Sequence, residues 1–97
     1  ISQYQCVLIM FTTSWCKNCK SDAFKTQYIA LKNKYNDIVI FVELDAEDEL
    51  VQDTEYYNFN VECVPSFRLY SYGNPVSSFD GSNAFNMIDI AINNLLV

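Results

Sequence analysis

The chain has 97 residues, 12 acidic and six basic side chains, and a formal net charge of −6. That length suits a single domain over residues 1–97, and 51% hydrophobic with 19% charged residues is a globular balance, not a disordered one. The acidic excess argues against nucleic acid or an anionic membrane as partner, and the lack of histidine excludes Ser-His-Asp and Cys-His catalysis and any histidine-bearing zinc site.

The first element is Cys6–Thr12, whose near-continuous apolar run predicts a central strand covered on both faces. At six residues, the apolar stretch Cys6–Phe11 is far short of the ~20 that span a bilayer. Ser14-Trp15-Cys16 leads into a helix predicted to run to about Tyr35, with Phe24, Tyr28, Leu31 and Tyr35 on one stripe. Ile38–Leu44 is a second buried strand. The acidic stretch Asp45–Glu49 suits a helix N-terminus, with Leu50, Val51, Thr54 and Tyr57 inward and Asn60 as its cap.

Val64–Tyr70 is a third strand with Pro65 near its start, where a sheet tolerates proline. Tyr72-Gly73-Asn74-Pro75 turns the chain into a fourth strand, Val76–Asp80. Gly81 ends it, Ser82 can cap the last helix, and Phe85, Ile88, Ile92 and Leu95 form that helix's inward stripe. The order β-α-β-α-β-β-α predicts a mixed α/β sheet flanked by helices on both faces.

Charge is unevenly spread. Lys17, Lys20, Lys25, Lys32 and Lys34 fall in one stretch, and eight acids lie between Glu43 and Glu62. Such runs are ordinarily solvated faces, although here they could also bias partner choice.

The chemistry concentrates in Trp15-Cys16-Lys17-Asn18-Cys19-Lys20, at a strand-to-helix turn. Cysteines at this spacing on a first helical turn can close a disulfide. Cys16, nearer the turn, is expected to face outward, with Cys19 one turn deeper. Unpaired N–H groups and about half a positive charge at a helix start favour a thiolate, and Lys17 adds a cation. A zinc knuckle would need two more ligands, and Cys6 sits in a buried strand. A merely structural cysteine pair is the other alternative.

With the dithiol after the first visible strand, the chain resembles the thioredoxin family. Phe11-Thr12-Thr13-Ser14-Trp15-Cys16, Phe41-Val42-Glu43-Leu44-Asp45, Val64-Pro65-Ser66-Phe67 and Phe79-Asp80-Gly81 match its motifs in order. Animal-type thioredoxins and protein disulfide isomerase domains are the nearest in character. The resemblance implies a thioredoxin-like fold whose first strand and helix are truncated or missing before Cys6. It also implies a protein thiol–disulfide oxidoreductase that needs no cofactor or metal, acts on protein disulfides, and is reset by an external reductase or dithiol.

Carried over residue by residue, Cys16 is the nucleophile and Cys19 the resolving thiol. Trp15, Lys17, Asn18, Val64 and Pro65 form the substrate-binding surface, with a cis Val64–Pro65 bond. Cys63 resembles a cysteine of animal-type thioredoxins that can act as a regulatory thiol and join two copies as a dimer; the alternative is an inert thiol. The chain departs from the pattern where Lys17-Asn18 replaces Gly-Pro, Met10 replaces a buried aspartate, and Phe24 replaces a kink proline. The Asp45–Pro65 interval is also longer than common. These changes bear on reductase efficiency and leave the redox chemistry in place.

Two other function classes fit the same residues: a non-catalytic thioredoxin-like subunit that binds a protein partner, and an iron–sulfur or metal carrier. No sorting signal is visible in these residues. These residues fix no compartment: the cytoplasm is slightly favoured, with a secretory or organellar destination the alternative if a leader precedes Ile1.

Overall fold

The computed structural model of this chain describes residues 6–48 and 64–96. Four strands form one mixed sheet: β1 (Cys6–Thr12), β2 (Val39–Asp45), β3 (Ser66–Ser71) and β4 (Asn74–Asp80), in the spatial order β2-β1-β3-β4. β1 and β2 run parallel; β1 with β3, and β3 with β4, run antiparallel. β1 is therefore flanked on both edges, as its apolar run predicts.

Alternation along the strands divides the residues between two faces. Cys6, Leu8 and Met10 stand on one face, level with Val39 and Phe41 on β2 and with Phe67 and Leu69 on β3. Helices α2 (Asp22–Lys34) and α3 (Phe85–Leu96) pack on that face and touch one another. Phe24, Phe67 and Phe85 meet at its centre, with ring centroids 5.0 to 6.4 Å apart. Such aromatic pairs contribute about 0.5–1.5 kcal/mol each beyond their burial.

The predicted stripes hold. Phe24, Tyr28, Leu31 and Tyr35 are buried, as are Phe85, Ile88 and Ile92, with Leu95 partly buried. The lower end of the helix pair is tied by the Tyr35 hydroxyl, which donates to Asp89 Oδ1 at 2.5 Å, and by Lys34 Nζ, 3.0 Å from the same carboxylate.

Several details differ from the sequence reading. The helix after the dithiol is two helices, because Ser21 is extended (φ −67°, ψ 149°) between α1 (Lys17–Lys20) and α2. Its hydroxyl donates to Asn18 O and accepts from the Phe24 N–H, so one side chain ends the first helix and caps the second. A break thus occurs here without the family's kink proline.

The hairpin between β3 and β4 is tighter than a four-residue turn. Only Tyr72 and Gly73 lie between the strands, both at positive φ (50° and 82°), the backbone of a type I′ connection. β4 consequently begins at Asn74 and includes Pro75 on the outer edge, and β3 begins at Ser66 rather than Val64. Ser82 lies short of the last helix: Ala84 precedes it and accepts the Ile88 N–H. β2 reaches Asp45, which pairs with Thr12, so Asp45 is a strand end rather than a helix start. Residues 46–48 continue as a turn, in which the Asp48 N–H donates to Asp45 O and the Glu47 N–H to Asp45 Oδ1, and the predicted acidic helix from residue 49 on, with the expected cover of the second sheet face, lies outside the described residues. Among the described residues no helix is long and apolar enough to cross a membrane.

Candidate active site

The segment after β1 folds into a turn because the strand's apolar alternation ends at Thr12 and the Cys16 N–H donates back to Thr13 O at 3.3 Å. That turn delivers Cys16 to the N-cap of α1 and Cys19 to its first turn. The two are joined by a disulfide, with Cα atoms 5.3 Å apart, inside the range that a disulfide spans. The Cys19 N–H donates to Cys16 Sγ at 3.1 Å. A donor aimed at sulfur favours the charged thiolate over the thiol once the disulfide is reduced.

The expectation that Cys16 faces outward is corrected. Cys16 is 4% exposed and Cys19 is 9% exposed. As the N-cap, Cys16 turns its sulfur back over the helix start to meet the Cys19 amide, which removes it from solvent. The helix beneath it is also short: α1 has four residues before Ser21 interrupts it. The local N–H is thus the donor that acts on Cys16, more than the dipole of a long helix.

Around the disulfide, Trp15 is 64% exposed, and Lys17 and Asn18 are exposed beside it. The Val64–Pro65 bond is cis. Val64 packs against the same buried cluster that contains Cys16 and Cys19, and Pro65 is buried. Three hydrogen bonds hold this segment. The Gly81 N–H donates to Pro65 O at 2.8 Å, the Ser66 hydroxyl donates to Asp80 Oδ1 at 2.8 Å, and Arg68 donates to Ser66 Oγ at 2.6 Å. Sequence reading passed over Ser66 and Arg68, whose part follows from the β3–β4 register and has no local signature. Cys63 lies outside the described residues.

Met10, where the family keeps a carboxylate, is buried beside Glu43 of the neighbouring strand. A cavity of about 440 Å³ opens on this side of the dithiol, lined among others by Met10, Thr13, Cys19, Tyr28 and Glu43. Lys20, Lys25 and Lys32 also border it, so three of the five clustered lysines edge this cavity instead of forming a featureless face. Burial, and secondarily the Glu43 charge, push the Tyr28 phenol up to about 12. Away from the site, Cys6 is a free thiol in the core, its pKa raised by burial.

Comparison with known proteins supports the geometry. The family model described as Thioredoxin matches residues 1–94. Rabbit (Oryctolagus cuniculus) thioredoxin is 33% identical over 92 residues, covering 93% of this chain and 79% of that protein. Human (Homo sapiens) thioredoxin is 32% identical over the same coverage. Among solved structures, the short form of thioredoxin f from spinach chloroplast superposes with a TM-score of 0.79 at 26% identity, over 97% of this chain and 79% of that one. The germline-specific thioredoxin Deadhead of Drosophila shares the fold, with a TM-score of 0.75 at 18% identity over 95% of this chain and 83% of that one. A match running through both cysteines, on a sheet and helices that superpose on thioredoxins, places this chain in the thioredoxin family as a thiol–disulfide oxidoreductase.

Proposed function

We propose that the chain, acting as one domain, exchanges disulfides of protein substrates, with Cys16 as nucleophile and Cys19 as resolving thiol. The observation that carries this assignment is the Cys19 N–H donated to Cys16 Sγ, which singles out Cys16 as the sulfur favoured as thiolate. The Cys16 thiolate attacks one sulfur of the substrate disulfide, whose S–S bond breaks. The first substrate sulfur leaves as a thiolate and takes a proton. Cys19 then loses its proton and attacks Cys16 Sγ, which breaks the mixed disulfide and frees the second substrate sulfur. Two electrons pass from the dithiol to the substrate, and an external reductase or dithiol restores the pair.

Trp15, Lys17, Asn18, Val64 and Pro65 form the proposed docking surface. An exposed indole beside a backbone edge suits an extended protein segment. Cys63 is proposed as a regulatory thiol through which two copies can dimerise. The test is reduction of insulin disulfides with dithiothreitol as the electron source. Turnover is expected, slower than that of a thioredoxin with Gly-Pro between its cysteines, and abolished by Cys16→Ser. Equal turnover in wild type and Cys16→Ser would overturn the assignment.

A further inference from the structure

Resolution requires the Cys19 thiol to give up a proton, and Met10 cannot take it. The cavity beside Cys19 contains one carboxylate among its lining residues, Glu43, set on β2 level with Met10 of β1. Two buried hydroxyls, Thr13 Oγ1 and Tyr28 OH, line the same space, each residue 7% exposed, and neither has a hydrogen-bond partner among the described residues. Buried hydroxyls are nearly always satisfied, and where protein does not meet them water does. A cavity of about 440 Å³ has room for several waters.

We propose that Glu43 accepts the Cys19 proton through water that the Thr13 and Tyr28 hydroxyls hold in this cavity. The proposal deepens the resolving role assigned to Cys19 and rests on that reading. In the step, the Cys19 S–H proton passes to a water, which gives a proton to the Glu43 carboxylate. The resulting thiolate attacks Cys16 Sγ, and the released substrate thiolate leaves with the mixed-disulfide electron pair. The carboxylic acid of Glu43 then returns its proton to solvent at the cavity mouth. The charged groups facing this space are Lys20 from α1, Lys25 and Lys32 from α2, and Glu43 from β2; Tyr28 is the remaining titratable neighbour, and β1 with the turn after it contributes only Met10, Thr12 and Thr13.

Electrostatics and proton transfer predict opposite signs, which makes the idea testable. If Glu43 acted only as a negative charge near Cys19, removing it would favour the Cys19 thiolate and speed resolution. If it accepts the proton, removing it slows resolution. The experiment follows the reduced protein reacting with a small aromatic disulfide by stopped flow, so that the first thiol released reports Cys16 attack and the second reports Cys19. Glu43→Gln is expected to leave the first phase unchanged and slow the second by about tenfold near pH 6.5, within the span of general-base effects. The deficit should fade above about pH 9, where the thiol ionises unaided. Glu43→Asp should recover part of the rate, and added imidazole should rescue Glu43→Gln. A second phase that is unchanged or faster in Glu43→Gln, with a normal first phase, overturns the proposal. Absence of the first phase in wild type would instead overturn the assignment of Cys16.

Discussion

The amide of Cys19 donates to the sulfur of Cys16 over 3.1 Å, so the residue proposed to resolve the mixed disulfide also carries the donor that would stabilise a Cys16 thiolate once the pair is reduced. Reactivity then follows thiolate character more than exposure, since Cys16 is the more covered of the two. In the reduced protein, limiting iodoacetamide should label Cys16 before Cys19, with Cys6 last. Cys6 is fully buried and its thiol is pushed up by that burial, both of which oppose reaction. Peptide mapping by mass spectrometry decides the order, and earlier labelling of Cys19 would exchange the two roles.

Gly81 holds the Pro65 side of the proposed docking surface, because its N–H reaches Pro65 O from a φ of +95°. A Cβ placed on Gly81 would meet nothing within 4 Å, so Gly81→Ala carries a purely conformational penalty. The expected loss is about 1–2 kcal/mol of stability in urea unfolding. Substrate capture by Cys16 should slow as well, as the Pro65 carbonyl loses its fixed donor. A variant with wild-type stability would show that the chain relaxes this turn at no cost.

Tyr28 gives a pH signature. Its folded-state value is raised to about 12 from an ordinary 10.0, so its contribution is fully present below pH 10 and is lost as pH rises through about 12. Raising the phenol from 10.0 to about 12 corresponds to roughly 2–3 kcal/mol at the alkaline end. Tyr28→Phe should therefore unfold over a shallower alkaline limb between pH 10 and 12, while near pH 7 its stability changes by less than about 1 kcal/mol. Coincident alkaline titrations for variant and wild type, followed by circular dichroism, would refute this origin. The Asp89 carboxylate has the opposite sign. It is held low chiefly by the Tyr35 hydroxyl, so that contribution exists at neutral pH and is lost as pH falls through its lowered value.

The strands, helical stripes and dithiol were legible in the sequence because each rests on local pattern: an apolar run, a period of 3.6, or a fixed spacing. Features that depend on register were not. Glu43 reads as one acid among many until β1 and β2 align it with Met10. Ser66 reads as a strand residue until β4 brings Asp80 to its hydroxyl. The break at Ser21 was the subtler miss, since a serine followed by an aspartate in a first turn is a recognisable cap. The continuous stripe from Phe24 to Tyr35 obscured it, because the stripe belongs wholly to the second helix and its C-cap.

The last prediction separates charge from shape in substrate recognition. Trp15 offers apolar area, whereas Lys17 and Lys20 on α1 are exposed cations that attract acidic segments. Exposed pairs of this kind are weak and fade with salt. Cys19→Ser leaves Cys16 without a resolving partner, so it should hold substrates as mixed disulfides. Adding Lys17→Glu and Lys20→Glu to that trap should slow capture of acidic peptides severalfold at low ionic strength and flatten the salt dependence. Neutral peptides should be captured at nearly the parent rate. Because Lys17 neighbours Cys16 in sequence, its replacement could also lower the reactivity of the sulfur itself. That effect would slow acidic and neutral peptides alike, and an equal loss for both would therefore remove the electrostatic part of recognition.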